Sequence, residues 1–144
     1  MEIYQKKQIL SSFSDEEELS HQSKHLLLEL YRCDREKLND ESFLRCILNR
    51  ASKLANATVL NLISHKFEPQ GVTAIALLAE SHISIHTWPE SYYSAIDIFT
   101  CGQNMMPEKA SQYLLESLMA KEHSLRVIER NPPLAVPTQT RTAF

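Results

Sequence analysis

Between Glu80 and Gly102 the chain gathers groups able to do chemistry: the hydroxyl of Ser81, the imidazoles of His82 and His86, the carboxylates of Glu80 and Glu90, and the thiol of Cys101. An imidazole exchanges protons near neutrality, and a thiol proton is labile in the physiological range. Each residue has a plain alternative. Ser81 can be a turn residue between strands, either histidine a hydrogen-bonded structural group, and Cys101 a small buried hydrophobe. The sharper rival is a zinc site of His82, His86 and Cys101, because histidines four apart share a face on a helix. Ile83, Ile85 and Thr87 alternate with them, which predicts a strand. Four residues of strand set the two imidazoles roughly 13 Å apart, too far for one metal.

Three runs occur in order: Glu80-Ser81-His82, then Ile85-His86-Thr87-Trp88-Pro89-Glu90, then Phe99-Thr100-Cys101-Gly102. With this order and spacing the segment resembles the self-cleaving region of the bacterial and archaeal S-adenosylmethionine decarboxylases. The resemblance extends over residues of about 24 to 130 and is specific from Gly71 to Gly102. It implies that Ser81 attacks the carbonyl of Glu80, cuts the chain there, and becomes a covalent pyruvoyl cofactor that forms a Schiff base with the substrate amine. By the same resemblance His86 assists proton removal during processing, and Thr73 supports it. Cys101 returns a proton to the substrate carbon after carbon dioxide leaves, and Phe67 and Glu90 hold the adenosyl part of S-adenosylmethionine. The last two have ordinary readings as a core ring and a solvated turn carboxylate. Where the family usually has Gly-Val-Ser-Gly, this chain has Gly71-Val72-Thr73-Ala74. Threonine keeps the hydroxyl but adds a stiff methyl, which implies slower processing.

The implied cofactor makes chemical sense. Decarboxylation of an α-amino acid leaves a carbanion that no ordinary side chain delocalises, so a carbonyl electron sink is required. With only two glycines, Gly71 and Gly102, the chain offers no convincing phosphate cradle for pyridoxal phosphate.

These residues sit in a chain of 144 residues with 43% hydrophobic content and a net charge of -3, which fits one soluble domain. Scattered Lys and Arg give no electrostatic case for nucleic acid or an anionic membrane. No apolar run is long enough for a membrane span, and the N-terminus lacks a signal-peptide pattern. Cys33, Cys46 and Cys101 are an odd number without CxxC spacing, so a reducing cytoplasm is expected and no disulfide framework. Cys33 and Cys46 read as small buried hydrophobes. No metal is expected.

Residues 1–23 read as a flexible acidic extension, 24–130 as a single domain, and 131–144 as an extended Pro/Thr-rich tail. The core is expected to be α+β: a two-layer sandwich of a mainly antiparallel sheet with two helices on one face. The pattern predicts strands over 25–33, 58–67, 72–79, 82–88, 93–100 and 125–128. Asp40 caps a helix with Phe43, Leu44, Ile47, Leu48, Ala51, Leu54 and Ala55 on its apolar stripe, and Asn56 ends it. Pro107 opens a second helix with Ala110, Tyr113, Leu114 and Leu118 facing inward.

Strand arithmetic sets a further condition. Ser81 and His86 lie roughly 16 Å apart along an extended strand. A hairpin through Pro89-Glu90-Ser91 returns Cys101 to the level of Ser81, and a turn near Ser81 puts Thr73 beside His86. A two-fold dimer would bring opposite ends together and complete two equal sites, and the resemblance likewise implies two α and two β chains with shared sites. Asp97, within Ala95-Ile96-Asp97-Ile98-Phe99, needs a partner. Two rival readings stand beside this one: a pyruvoyl decarboxylase of the same family acting on arginine or ornithine, and an unprocessed α+β binding module.

Overall fold

The computed structural model describes residues 22–131. Apart from Gln22, Ser23 and Asn131, the expected N-terminal extension and C-terminal tail lie outside the described residues. The elements are β1 (Ser23–Tyr31), α1 (Arg35–Leu38), α2 (Glu41–Leu54), β2 (Val59–Lys66), β3 (Val72–Leu78), β4 (Ser81–Trp88), β5 (Tyr93–Cys101), α3 (Pro107–Ser117) and β6 (Glu122–Glu129). The strands form one sheet in the order β2-β3-β4-β5-β1-β6, with every neighbouring pair antiparallel. Helices α2 and α3 pack on one face, giving the expected two-layer α+β sandwich. No helix among the described residues is long and apolar enough to cross a membrane.

Alternation along the strands builds the two faces. Leu26, Leu28, Leu30, Ala74, Ala76, Ile83, Ile85, Ile96 and Ile98 point under the helices and are almost fully buried. Leu44, Ile47, Leu48 and Ala51 from α2, and Ala110 and Leu114 from α3, close the core from above. Each fully buried Leu or Ile contributes about 1.5–3 kcal/mol. The Asp40 carboxylate accepts the Phe43 N–H at 2.9 Å and so starts α2. Asn56 stands just past its end with φ 61. Leu54, expected on the buried stripe, instead faces outward at the end of the helix.

Two boundaries differ from expectation for local reasons. Strand β1 stops at Tyr31 rather than Cys33, because Arg32 takes a left-handed φ of 55 and turns the chain. Asp34 then caps the short helix α1, its carboxylate accepting the Lys37 N–H at 3.0 Å. Strand β6 runs from Glu122, beyond the expected 125–128, because it pairs with β1 along its whole length.

Candidate active site

The opposite face of the sheet carries the residues with chemistry. Directly opposed residues in antiparallel strands share a face. Thr73, His86 and Ala95 therefore make one row across β3, β4 and β5, and Ser84 and Asp97 another. The β3–β4 connection is the tight turn Ala79-Glu80, and Ser81 starts β4 opposite Thr100 of β5. Ser81 carries a φ of 147, a region that side chains other than glycine rarely adopt. Its Oγ lies 3.6 Å from Cys101 Sγ. Ser23, at the start of β1, donates to the same sulfur at 3.0 Å.

At the other end of β4, His86 Nδ1 and Thr73 Oγ1 are 2.9 Å apart. A cavity of about 300 Å³ opens there, lined by Phe67, Thr73, His86, Trp88 and Glu90 among others. The β2–β3 turn shapes its wall: Phe67 N–H donates to the Gly71 carbonyl at 2.8 Å. Gly71 has φ 100, and a Cβ there would meet the Thr87 carbonyl at 3.0 Å, so only glycine suits this approach. Phe67 is exposed rather than in the core, its edge against His65. Glu90, also exposed, lies in the short 3₁₀ turn Pro89–Ser91. Trp88 leans on both His86 and Tyr93, with ring centres 6.4 and 5.3 Å away.

Thus one end of β4 groups Ser81 with Cys101, and the other groups Thr73, His86, Phe67 and Glu90. His82 and His86 do not meet. His82 packs edge-on against Phe99 and His25. Among the described residues no group of three or more His, Cys, Asp or Glu is placed to hold a metal ion.

Several neighbours escaped the sequence reading. Ser23 reaches Cys101 only because β1 lies beside β5, with the two residues paired in register. Trp88 was legible as an aromatic in the motif, but its place in the cavity wall was not. Asp97 has the partners its surroundings demand: His25 Nε2 at 3.2 Å, and the Ser84 hydroxyl, which donates at 3.3 Å. The Tyr93 hydroxyl donates to the Glu29 carboxylate across β5 and β1. Burial pushes the Tyr93 phenol above its ordinary range, and the Glu29 hydrogen bond and charge push it further. Burial likewise pushes the Cys33 thiol up to about 11, as suits an inert core cysteine. Cys46, by contrast, is exposed on α2, so the expectation of a buried thiol there is corrected.

Ser81 follows a tight turn in an unusual backbone conformation, and a thiol is within reach of its side chain. The comparisons with known proteins bear on the same segment. The sequence profile of the S-adenosylmethionine decarboxylase family matches residues 24–131.

The chain belongs to the S-adenosylmethionine decarboxylase family.

Among its relatives, the S-adenosylmethionine decarboxylase proenzyme of Synechococcus sp. (strain WH7803) is 60% identical over 119 residues, spanning 83% of this chain and 93% of that one. The proenzyme of the same name from Methanococcus aeolicus is 44% identical over 112 residues, 78% of this chain and 96% of the relative. The crystal structure of the adenosylmethionine decarboxylase from Aquifex aeolicus superposes with a TM-score of 0.73 at 34% identity, covering 83% of this chain and 99% of that one. Membership in this decarboxylase family favours the main reading over a non-catalytic binding module.

Proposed function

We propose that the chain is a proenzyme that cuts itself between Glu80 and Ser81 and then decarboxylates S-adenosylmethionine. The product is the aminopropyl donor for spermidine synthesis. The observation that carries this reading is the Ser81–Cys101 pair, 3.6 Å apart where β4 begins and β5 ends, in a chain of this family. The pyruvoyl group formed from Ser81 supplies the carbonyl that takes up the electrons released with carbon dioxide. Cys101 has a proton to return to the substrate carbon from beside that position. His86, with its ring nitrogen against Thr73, acts as the proton acceptor in processing. Phe67 and Glu90 line the cavity with His86, where a ring can stack on adenine and a carboxylate can accept hydrogen bonds from the nucleoside.

Ser81 and His86, five residues apart along β4, lie roughly 16 Å from each other, so on this reading His86 does not serve the Ser81 of its own chain. The open sheet face exposes Ile63, Leu77, Trp88 and Ile128. Two copies packed through this face about a two-fold axis would set the Ser81 end of each against the cavity of the other. The active form on this reading is a dimer of αβ pairs with two shared sites, each using Ser81 and Cys101 from one copy and Thr73, His86, Phe67 and Glu90 from the other. On this reading arginine and ornithine lack the nucleoside that Phe67 and Glu90 would hold.

Intact mass of the purified protein tests the reading directly. Two chains are expected, residues 1–80 and a second chain headed by the former Ser81, with loss of ammonia from its terminus. Ser81→Ala is expected to remain one chain without activity. A wild type that stays whole after long incubation yet decarboxylates its substrate would overturn the pyruvoyl mechanism.

A further inference from the structure

The Glu80 side chain does not point freely into solvent. Its Oε2 accepts the backbone N–H of Thr58 at 3.0 Å, and the Ala79 N–H donates to the Thr58 carbonyl at 2.9 Å. One residue on the loop between α2 and β2 therefore holds both residues that precede Ser81. The same loop also holds the segment after Cys101. Met106 N–H donates to the Ala55 carbonyl at 2.9 Å, and Asn56 Nδ2 donates to the Asn104 carbonyl at 3.1 Å. The loop is itself fixed to a capped, buried helix. The two sides of the Glu80–Ser81 bond are thus gripped by different elements: Glu80 by the α2–β2 loop, Ser81 by its pairing with β5 and its contact with Cys101.

That division matters for the first step of cleavage. Ser81 Oγ must form a bond to the Glu80 carbonyl carbon while the C–N bond to Ser81 breaks, the hydroxyl proton ending on the freed amine. Rotation about the Ser81 N–Cα bond, together with χ1, sets how near Oγ comes to that carbon. This rotation is φ, and it stands at 147, where the chain would relax if one side were released.

We infer that the Glu80 carboxylate is a positioning group for self-cleavage: by binding the Thr58 N–H it holds the acyl half of the scissile bond against the strained Ser81. The inference rests on the self-cleaving reading above. It assigns Glu80 a role in the acyl shift, separate from the proton transfers given to His86.

The test follows cleavage of freshly purified precursor by intact mass in wild type, Glu80→Gln, Glu80→Asp and Glu80→Ala. Glutamine keeps an acceptor oxygen at the same reach, aspartate keeps the charge but is one methylene short, and alanine keeps neither. Cleavage by Glu80→Gln should be within a few-fold of wild type. Glu80→Asp and Glu80→Ala should slow on the order of tenfold or more, the scale of one lost hydrogen bond to a charged group. Hydroxylamine, which cuts esters, should release no extra fragment from the slow variants, because they stall before the ester forms. Melting of each substitution in a Ser81→Ala background, where all chains are uncut, separates this effect from misfolding; cooperative melting with at most the small drop of one exposed hydrogen bond is expected. Equal cleavage by all four chains overturns the inference alone, as does equal slowing of Glu80→Gln and Glu80→Ala. Ester accumulation in Glu80→Ala overturns it too, by placing the defect after the acyl shift. A wild type that never cleaves overturns the underlying reading, a distinguishable result.

Discussion

Cys101 stands where two hydroxyls converge on one sulfur, with Ser23 donating at 3.0 Å and the Ser81 Oγ 3.6 Å away. The acyl shift at Ser81 needs no thiol to protonate a substrate, so processing and turnover should separate at this residue. Cys101→Ala is expected to be largely cleaved, with turnover lower by about two orders of magnitude or more, the usual scale for losing a general acid. Gel analysis beside an assay of released carbon dioxide checks both halves, and normal turnover would return Cys101 to a structural role. At this scale legibility followed distance along the chain. Ser81, His86 and Glu90 announced themselves because they are neighbours in sequence. Ser23 did not, since 78 positions separate it from its partner and nothing local marks a serine that will face a thiol. Asp97 was legible only as a carboxylate needing a partner; His25, on another strand, could not be named.

The elements position these residues through turns that are not all comfortable. Tyr92 ends the 3₁₀ turn between β4 and β5 with φ 53, and its carbonyl accepts the Cys33 N–H at 3.0 Å. A left-handed conformation costs a residue other than glycine about 1–2 kcal/mol. Its side chain is 48% exposed, so little packing offsets that strain. Tyr92→Gly should therefore stabilise the fold, by about 0.5–1 kcal/mol after the greater freedom of glycine in the unfolded chain is deducted. Urea unfolding of the uncut Ser81→Ala protein with and without the change would measure it; a destabilisation would mean that the Tyr92 ring makes contacts worth more than the strain. The same physics explains which boundaries could be read. Alternating apolar residues located all the strands, and Asp40 and Pro107 marked the helix starts, because period and capping are local. The end of β1 was missed because Arg32 is an unlikely left-handed residue, and α1 because four residues carry no period.

At the scale of the whole molecule, the sheet has one face sealed by helices and one face that keeps its chemistry and its exposed apolar side chains. The register puts Thr73 opposite His86 and Ser81 opposite Thr100, at opposite ends of β4, so neither end alone holds every group the proposed mechanism uses. A shared site makes a specific genetic prediction. Ser81→Ala and His86→Ala should each process poorly alone. Co-expressed as a mixed dimer, they place both lesions in one site and leave the other wild type, with Ser81 from the His86→Ala chain and His86 from the Ser81→Ala chain. That intact site should cleave, and only the chain bearing Ser81 should be cut. If His86 acted within its own chain, the Ser81-bearing chain would still lack its histidine, and mixing would restore nothing. Differently tagged chains, purified through both tags so that only mixed dimers are weighed, distinguish the outcomes by intact mass. Recovery of dimers carrying both tags without any cleaved chain would exclude the shared site and force His86 to reach Ser81 through a rearrangement of its own strand.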